Sequence, residues 1–435
     1  MSLDPNRPDL TIGVLGTGAM GRGIAQVAAA GGIHVLMMDA RAGAAQEARD
    51  FIGKMLQRAA EKGSMSHLDA QAALGRIKIV NALADFKPCH ALIEAVAENL
   101  DVKRQVFGEL EAVVASDCIL ATNTSSLSVT TVAARLKTPQ RFAGFHFFNP
   151  VPLMRLVEVI SGLQTEEWVC EALVAIGKRM TREPVRCTDA PGFLVNQVGR
   201  GFTLEASHLV YEGISNFVDV DRVMRDVGGF RMGPFELMEL TGLDVTQPAS
   251  VLIYDQFFQE PRYRPNLIMQ ARYEAGVLGR KTRRGFYNYD AEMKAIVPPE
   301  APAPSARPES VWVSPAEPYG CKTLTGLLEK IGAPLESGAK PGAKALCLVT
   351  PIGDDATTCA VEQGLDPKRT VAVDTLFPLV KRRTIMGTPL TDRAYRDAAH
   401  GLFASDGVPV TVCRDSPGFI AQRIVAMIVN IGCSI

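Results

Sequence analysis

The feature that most restricts the fold of this chain is a glycine-rich turn near its start. A short apolar run, residues 10–15, is followed at once by Gly16-Thr-Gly18-Ala19-Met20-Gly21 and then by a stretch of helix-forming residues. Gly16 allows a tight turn, Gly18 lets a phosphate approach the backbone, and Gly21 lets the helix pack closely on the sheet. The pattern therefore predicts a strand, a turn and a helix that bind a dinucleotide on a parallel sheet.

A second strand is predicted at His34–Met38, and it ends at Asp39. In Rossmann-type domains a carboxylate about 20 residues after the first glycine binds the ribose hydroxyls of NAD, and it would repel the 2′-phosphate of NADP. The alternative for Asp39 is a solvated turn residue, and the nearby Arg41 is a feature that would suit NADP. The spacing favours NAD.

The bulk composition excludes several classes of partner. The chain has 435 residues, a net charge of −1 and 47% hydrophobic residues, so it has material for several domains and no basic surface for nucleic acid. Its nine cysteines are scattered and never spaced as CxxC, which predicts a reducing compartment and no metal site. No apolar run resembles a signal peptide or a membrane span. We therefore expect a cytoplasmic protein that has neither a nucleic acid nor a membrane as its partner.

Further strands are predicted at residues 76–80, 91–94 and 119–122, and the last is followed by Asn123-Thr-Ser125-Ser126. Ligands of open α/β sheets bind at the carboxyl ends of the strands, so these hydroxyls are well placed to touch a substrate. The alternative is a helix N-cap, for which serine is preferred. Ser126 or Ser128 could fill that position and leave Ser125 for chemistry.

A histidine and a glutamate lie on either side of a proline-containing turn between two apolar strands. His146 ends the first strand and Glu158 lies in the second, so the turn can bring the two side chains together. A neutral imidazole can accept a proton near neutral pH, and a carboxylate on its other nitrogen fixes the tautomer. The alternative is a histidine satisfied within the core. The arrangement predicts an oriented general base.

The composition changes after this region, and five segments are predicted. A Rossmann-type domain at 1–187 is followed by an all-α domain at 188–296, with no convincing strand after Val185. A linker rich in proline and alanine follows at 297–310. Near the end of the helical domain, Lys281 lies in a turn with several basic residues. The alternative to a functional role for Lys281 is a solvated surface turn.

The remaining two segments repeat part of the first half. Cys187-Thr-Asp189-Ala-Pro191-Gly-Phe193 recurs as Cys413-Arg-Asp415-Ser-Pro417-Gly-Phe419, without a second glycine turn. This predicts a degenerate Rossmann-like domain at 311–412 and the first helix of an incomplete second helical domain at 413–435. The repeat lacks the candidate site, because Ser125, His146, Glu158 and Asn196 align with Gly353, Asp374, Met386 and Gln422.

Taken together, the motifs resemble one known family, the NAD-dependent L-3-hydroxyacyl-CoA dehydrogenases of β-oxidation type. The motifs are Gly16-x-Gly18-x-x-Gly21 with Asp39, Glu98-Asn-Leu-x-Val-Lys103, Asn123-Thr-Ser125-Ser126, His146-Phe-Phe-Asn149-Pro, Leu156-Val-Glu158, Pro191-Gly-Phe-x-x-Asn196, Met232-Gly-Pro234 and Gly279-Arg-Lys281-Thr. The duplicated second half is similar to longer bacterial members, including the 3-hydroxyadipyl-CoA dehydrogenases of phenylacetate breakdown.

The resemblance implies oxidation of an (S)-3-hydroxyacyl-CoA to the 3-oxoacyl-CoA, with 3-hydroxyadipyl-CoA or 3-hydroxybutyryl-CoA as candidate substrates. It implies His146 as the base, Glu158 as its orienting group, and Ser125 and Asn196 as hydrogen-bonding groups for the substrate. The implied NAD contacts are Gly16, Gly18, Ala19, Met20, Gly21, Asp39, Glu98, Lys103, Ser125, Asn149 and Lys281.

Two other classes of function stay open from the sequence. One is a 3-hydroxy acid dehydrogenase that does not use CoA, although such enzymes usually rely on a catalytic lysine. The other is a non-catalytic NAD-binding relative. Relatives dimerise through the helical domain, which implies a homodimer unless the second copy covers that surface. Arg231, where the family usually has a small residue or proline, is a candidate for reading a charged acyl tail, and Lys54, Arg58 and Lys62 are candidates for binding the CoA nucleotide.

Overall fold

The structure is a computed structural model that describes residues 3–435. The chain forms two compact units, one that ends at Gln197 and one from Val198 to Ser434. The five predicted segments are a finer division than this one, and their boundaries stay predictions. Among the described residues, no helix combines the length and the apolar character that crossing a membrane requires.

The first unit is built on an eight-stranded sheet with the order β3-β2-β1-β4-β5-β6-β7-β8. All neighbouring strands are parallel except β6 and β7, which are antiparallel. The strand order reverses at β1 and β4, and in open α/β sheets that is where a dinucleotide binds. The strands are β1 Thr11–Leu15, β2 His34–Met38, β3 Ile77–Ile79, β4 Ala91–Glu94, β5 Ile119–Thr122, β6 Phe142–Phe147, β7 Leu156–Ser161 and β8 Glu183–Thr188.

Helices cover the sheet because its strands are continuous apolar runs that must be buried on both faces. The helix α3 was not predicted, and it begins at a Ser66 cap that accepts a hydrogen bond from the Asp69 backbone. α7 begins in this unit and continues past Val198. The helices are α1 Ala19–Ala30, α2 Ala44–Glu61, α3 His67–Gly75, α4 Leu100–Glu111, α5 Val129–Ala133, α6 Glu167–Arg179 and α7 Val195–Tyr211.

The second unit begins with helices and a short antiparallel hairpin. Its helices after α7 are α8 Phe217–Asp226, α9 Pro234–Thr241, α10 Leu243–Gln256 and α11 Leu267–Glu274, and its hairpin strands are β9 Asn288–Tyr289 and β10 Ala295–Ile296. The prediction that no strand follows Val185 was wrong, because β8 runs to Thr188 and this hairpin forms. The hairpin is stabilised by Asp290, whose carboxylate accepts hydrogen bonds from the backbone N–H groups of Glu292 and Lys294.

A second sheet follows, with the order β11-β12-β13-β14-β15. Its strands are β11 Val311–Val313, β12 Leu346–Val349, β13 Thr370–Val373, β14 Arg383–Gly387 and β15 Val410–Cys413, and its helices are α12 Pro318–Lys330, α13 Ala356–Glu362, α14 Arg393–Phe403 and α15 Ala421–Gly432. Only β13 and β14 are antiparallel neighbours. This is the pairing pattern of β4 to β8, as expected for a partial duplicate.

The register of the second sheet corrects one aligned position. In the first sheet His146 lies opposite Glu158. In the second, the Asp374 backbone N–H donates to the Thr384 carbonyl at 3.0 Å, so Thr384 lies opposite Asp374. The prediction that Met386 is the counterpart of Glu158 was therefore wrong, because the paired residues are twelve positions apart in the first copy and ten in the second.

The predicted linker carries no helix or strand between Ile296 and Val311, but it is attached to its surroundings. Glu300 pairs with Arg382, whose side chain is 3% exposed, and the Pro298 carbonyl accepts a hydrogen bond from Arg222 of α8. The segment is therefore anchored in the second unit.

The final helix, α15, packs on α7 within the second unit. A side-chain carbon added at Gly201 would lie 3.1 Å from the Ile428 backbone, so the two helices approach closely there. Ile431 is fully buried in a cluster with Ile253 and Tyr263. An apolar face that α15 alone would expose is thus covered by the helical region.

Candidate active site

The centre of the candidate site is the pair formed by His146 on β6 and Glu158 on β7. The two residues are direct partners in the antiparallel register, so their side chains lie on the same face of the sheet. His146 Nδ1 lies 2.6 Å from Glu158 Oε2, and the two side chains are 6% and 0% exposed. A carboxylate only accepts hydrogen bonds, so Nδ1 carries a proton, and in the neutral imidazole the lone pair is then on Nε2.

The carboxylate of Glu158 is held at both oxygens. Its Oε1 accepts hydrogen bonds from the backbone N–H groups of Leu194, at 3.0 Å, and Val195, at 2.8 Å. These groups belong to the start of α7, where the helix dipole favours a negative charge. The ionised form of Glu158 is therefore stabilised although the side chain has no contact with solvent.

Two aromatic rings lie close to the imidazole. The ring of Phe148 lies 4.6 Å from that of His146 between centroids, and the ring of Phe193 lies 5.8 Å away. Phe193 has a φ of 52°, an uncommon conformation for a residue with a side chain. No described residue forms a hydrogen bond with His146 Nε2, so this nitrogen can accept a proton from a ligand.

The loop after β5 holds Ser125 against Glu98. Glu98 Oε1 accepts hydrogen bonds from the Thr124 hydroxyl at 2.6 Å and from the backbone N–H groups of Ser125 and Ser126 at 2.9 and 3.1 Å. The Ser125 side chain is exposed and its hydroxyl has no hydrogen-bond partner among the described residues. Ser128 is the N-cap of α5, which was one of the two candidates, Ser126 and Ser128, for that position. Ser125 is therefore not the cap.

Lys103 is almost fully buried, and two carboxylates pair with it. Its Nζ lies 2.6 Å from Glu94 Oε1 and 3.3 Å from Glu98 Oε2. Burial raises the pKa of Glu98, but hydrogen bonds from Thr124 and the charge of Lys103 outweigh it, and the net shift lowers that pKa. Lys103 therefore helps to position the carboxylate of Glu98.

Three asparagines lie on the loops and the helix turn that carry the residues of the candidate site. Asn123 Oδ1 accepts a hydrogen bond from the backbone N–H of Phe147 at 2.9 Å, which ties the loop after β5 to β6. Asn149 is exposed just beyond the end of β6, and Asn196 is half-buried in the first turn of α7. Asn196 thus follows directly after the residues that bind Glu158.

The glycine turn fits a phosphate group. Gly16 has a φ of 90°, and a side chain there would lie 2.5 Å from the Ala95 carbonyl, while a side chain at Gly21 would lie 1.8 Å from the Gly16 carbonyl. Gly18, by contrast, faces open space. It is the N-cap of α1 and supplies no side-chain cap, so the N–H groups of Ala19 and Met20 are available to an anion.

Asp39 lies beside this turn, as the sequence predicted. Its Oδ2 accepts hydrogen bonds from the backbone N–H and the hydroxyl of Thr17 at 2.7 and 2.8 Å. Burial raises the pKa of Asp39, but hydrogen bonds from the backbone of Arg41 and from Thr17 outweigh it and the pKa is lowered, so the group is ionised. The Arg41 guanidinium pairs with Glu47 at the surface.

For the remaining predicted residues, the structure gives exposure and immediate partners. Lys54, Arg58 and Lys62 are exposed on or just after α2. Two more belong to the second unit, where the Lys281 ammonium pairs with Asp244 at 2.6 Å and Arg231 is exposed before α9. In the part of the chain that the structure describes, no cluster of three or more His, Cys, Asp or Glu side chains is placed to hold a metal ion.

Sequence reasoning missed two residues that support the site. Glu94 ends β4 and binds both Lys103 and the Thr122 hydroxyl. Asp189 accepts hydrogen bonds from the start of α5, including the backbone N–H groups of Val129 and Thr130 at 2.8 and 2.7 Å. An acid at the end of an apolar strand was a signal for the first, and the recurrence of Asp189 as Asp415 was a signal for the second.

Comparison with known proteins agrees with this geometry. The sequence matches the family model described as "3-hydroxyacyl-CoA dehydrogenase, NAD binding domain" over residues 11–190. It also matches "3-hydroxyacyl-CoA dehydrogenase, C-terminal domain" over residues 192–289. The two matches cover the first sheet and the helical region, including every residue predicted for the site.

Individual relatives extend the match into the second half. The chain is 35% identical over 421 residues to the 3-hydroxyadipyl-CoA dehydrogenase of Escherichia coli K12, covering 97% of this chain and 83% of that protein. It is 38% identical over 277 residues to the probable 3-hydroxybutyryl-CoA dehydrogenase of Bacillus subtilis, covering 64% of this chain and 96% of that protein. The Escherichia coli protein therefore shares the duplicated region, whereas the match to the Bacillus subtilis protein is limited to about the first two thirds of this chain.

Solved structures give the same result. The crystal structure of a 3-hydroxybutyryl-CoA dehydrogenase from Escherichia coli K12 aligns with a TM-score of 0.83 and 33% identity, over 97% of this chain and 84% of that one. That of the (S)-3-hydroxybutyryl-CoA dehydrogenase from Ralstonia eutropha aligns with a TM-score of 0.63 and 37% identity, over 64% of this chain and 99% of that one. The predicted family, fold class and cofactor are confirmed, and the chain belongs to the NAD-dependent 3-hydroxyacyl-CoA dehydrogenases, oxidoreductases that act on 3-hydroxyacyl-CoA thioesters.

Proposed function

We propose that His146 is the general base of this dehydrogenase and that Glu158 orients it. The observation that carries the proposal is the buried contact of 2.6 Å between His146 Nδ1 and Glu158 Oε2. The contact leaves Nε2 as the acceptor of the proton from the 3-hydroxyl of the substrate, and the carboxylate stabilises the imidazolium that results. NAD, when bound, supplies the acceptor for the hydride that leaves C3.

Ser125 and Asn196 are proposed to hold the substrate oxygens. The Ser125 hydroxyl has no partner in the described protein, and its backbone is fixed by Glu98, so it is a positioned donor. Asn196 follows the two residues that bind Glu158, which gives it a defined place relative to the catalytic pair. Such fixed donors orient the 3-hydroxyl and the thioester carbonyl for reaction.

The NAD contacts are proposed from the residues that fit the cofactor. The open face of Gly18 and the uncapped N–H groups of Ala19 and Met20 suit the pyrophosphate, and the ionised Asp39 suits the ribose hydroxyls. The remaining contacts that we propose, on the basis of the family motifs, are Glu98, Lys103, Ser125, Asn149 and Lys281.

We propose 3-hydroxyadipyl-CoA as the preferred substrate and 3-hydroxybutyryl-CoA as the alternative. The support is that the relative named 3-hydroxyadipyl-CoA dehydrogenase matches this chain over 97% of its length, including the duplicated half. Arg231 is the exposed cation that we propose as the partner of a distal carboxylate. For the CoA nucleotide we propose the exposed cations Lys54, Arg58 and Lys62, because phosphates are bound by clustered basic side chains.

The test is the rate of NADH formation with each of the two thioesters at matched concentrations. A higher kcat/KM with 3-hydroxyadipyl-CoA, and loss of that preference in Arg231→Gln, would support the assignment. Lys78→Gln is a matched control, because Lys78 is an exposed cation on β3. A preference for 3-hydroxybutyryl-CoA would select the alternative, and equal loss of rate with both substrates in Arg231→Gln would contradict the role of Arg231.

We also propose a homodimer and a cytoplasmic location. The support for the location is that the nine cysteines are free thiols, most of them buried. For the dimer, α15 already covers the face of α7 near Gly201, so the exposed apolar side chains of the α9–α10 region are the available surface. These are Leu240, Val245, Val251 and Leu252. A mass measured by light scattering that equals one chain would contradict the dimer.

A further inference from the structure

Three buried or partly buried charges meet where β4 and β5 end. Glu94 is the last residue of β4 and is fully buried, and Lys103 of α4 is 1% exposed. The Lys103 ammonium lies 2.6 Å from Glu94 and 3.3 Å from Glu98. We call Glu94, Glu98 and Lys103 the acidic cluster. It contains two carboxylates and a single ammonium group.

Both carboxylates receive donors only, so both are ionised. Glu94 accepts hydrogen bonds from Lys103 Nζ, from the Val96 backbone N–H at 2.7 Å and from the Thr122 hydroxyl at 2.7 Å. The Thr122 oxygen itself accepts from the Thr124 backbone N–H, which directs its proton to Glu94. Glu98 accepts a hydrogen bond from the Ser125 backbone N–H and pairs with the Lys103 ammonium. The acidic cluster therefore carries a net charge of −1.

The order of the strands gives the position of this charge relative to the cofactor. The glycine turn follows β1, and Asp39 follows β2 on one side of it. Going the other way from β1, the sheet continues through β4 and β5 to β6, which carries His146. A dinucleotide whose pyrophosphate lies at the turn and whose adenosine ribose lies at Asp39 must extend its other half over the ends of β4 and β5.

The two redox forms of the cofactor differ in charge in that half. The nicotinamide ring is cationic in NAD and neutral in NADH. We propose that the net negative charge of the acidic cluster, to which the buried Glu94 contributes one carboxylate, favours binding of NAD over NADH. The inference rests on the cofactor placement in the proposed function. Two unit charges about 10 Å apart at an effective dielectric constant of about 20 change a binding constant by roughly tenfold.

The experiment compares the dissociation constants of NAD and NADH in the full-length protein, without substrate. NADH binding is followed by its fluorescence, and NAD binding by displacement of NADH. Glu94→Gln keeps the shape and removes the charge, so the ratio Kd(NAD)/Kd(NADH) should rise about tenfold. Lys103→Met leaves two carboxylates, so the ratio should fall below that of the wild type. Thr122→Val removes a hydrogen bond to Glu94 without changing the charge, so the ratio should stay unchanged.

Opposite changes in the ratio distinguish the charge from a structural effect, because damage to the fold would weaken both cofactors alike. The inference is overturned if the ratio in Glu94→Gln stays within twofold of the wild type, or if Glu94→Gln and Lys103→Met change it in the same direction. If Lys103→Met does not fold, Glu98→Gln replaces it and must raise the ratio. The measurement needs no turnover, so a protein inactive towards both thioesters that still shows these ratios would refute the proposed substrate and retain this inference.

Discussion

The most informative single change is Glu158→Gln, because it alters the charge next to His146 with little change in shape. The Glu158 carboxylate serves three donors: His146 Nδ1 at 2.6 Å and the backbone N–H groups of Leu194 and Val195. A glutamine has one carbonyl oxygen and one NH2 group, so it cannot accept from both sides. Either the imidazole or the start of α7 loses its acceptor.

The expected effect on rate follows from the charge. In the proposed mechanism His146 becomes a cation when it accepts the substrate proton, and in the wild type the Glu158 carboxylate lies beside it. Opposite charges about 4 Å apart at an effective dielectric constant of about 20 interact by about 4 kcal/mol. Loss of that stabilisation in the transition state corresponds to a fall of about 10³ in kcat.

The assay is NADH formation at saturating NAD and 3-hydroxyacyl-CoA, with the Kd of NADH measured in parallel. Glu167→Gln is the matched control, because that carboxylate is exposed on α6 and pairs with Arg186. The control should keep the wild-type kcat. A kcat for Glu158→Gln within tenfold of the wild type would refute the reasoning, as would a loss of rate that is explained entirely by weaker NADH binding.

Three further changes test other parts of the structure. Asp39→Ala should raise the KM for NAD about tenfold and reduce the discrimination against NADP, read as the ratio of kcat/KM for the two cofactors. Burial raises the pKa of Asp221 from 3.8 to about 7, so the folded protein keeps a proton there that the unfolded chain has lost. Its contribution to stability is complete below about pH 4 and is lost as the pH rises to about 7, and Asp221→Asn should remove this part of the slope in a plot of Tm against pH. Gly201→Val should push α15 away at Ile428 and cost about 1–3 kcal/mol in the free energy of unfolding, measured with denaturant.

The first sheet was largely predictable because its strands are short apolar runs with clear ends. The predicted strands His34–Met38, 91–94 and 119–122 have the bounds that the structure gives. The helix α3 was not predicted, since its sequence has no continuous apolar stripe. The helix α10 was not predicted either, because it contains Pro248, a residue that normally ends a helix.

The candidate site was predictable only where a motif marks it. His146 and Glu158 stood out because an ionisable residue within an apolar strand is unusual. Glu94 has the same property, but its partner Lys103 lies on the helix that follows, and their contact depends on how α4 packs on the sheet. The match of Met386 to Glu158 failed for a related reason. A constant sequence offset does not show which residues of two strands pair, because the turn between the strands sets that register.

The duplication also separates what this fold requires from what catalysis requires. Asp189 and Asp415 each accept a hydrogen bond from the first backbone N–H of the helix α5 or α13. Phe193 and Phe419 share an unusual backbone, with φ of 52° and 51°. The second copy has kept both the aspartate contact and the unusual backbone, although Asp374 occupies the position of His146. One chain therefore contains its own comparison between a copy that has the proposed catalytic pair and a copy that lacks it, and a residue preserved in both copies is better explained by architecture than by chemistry.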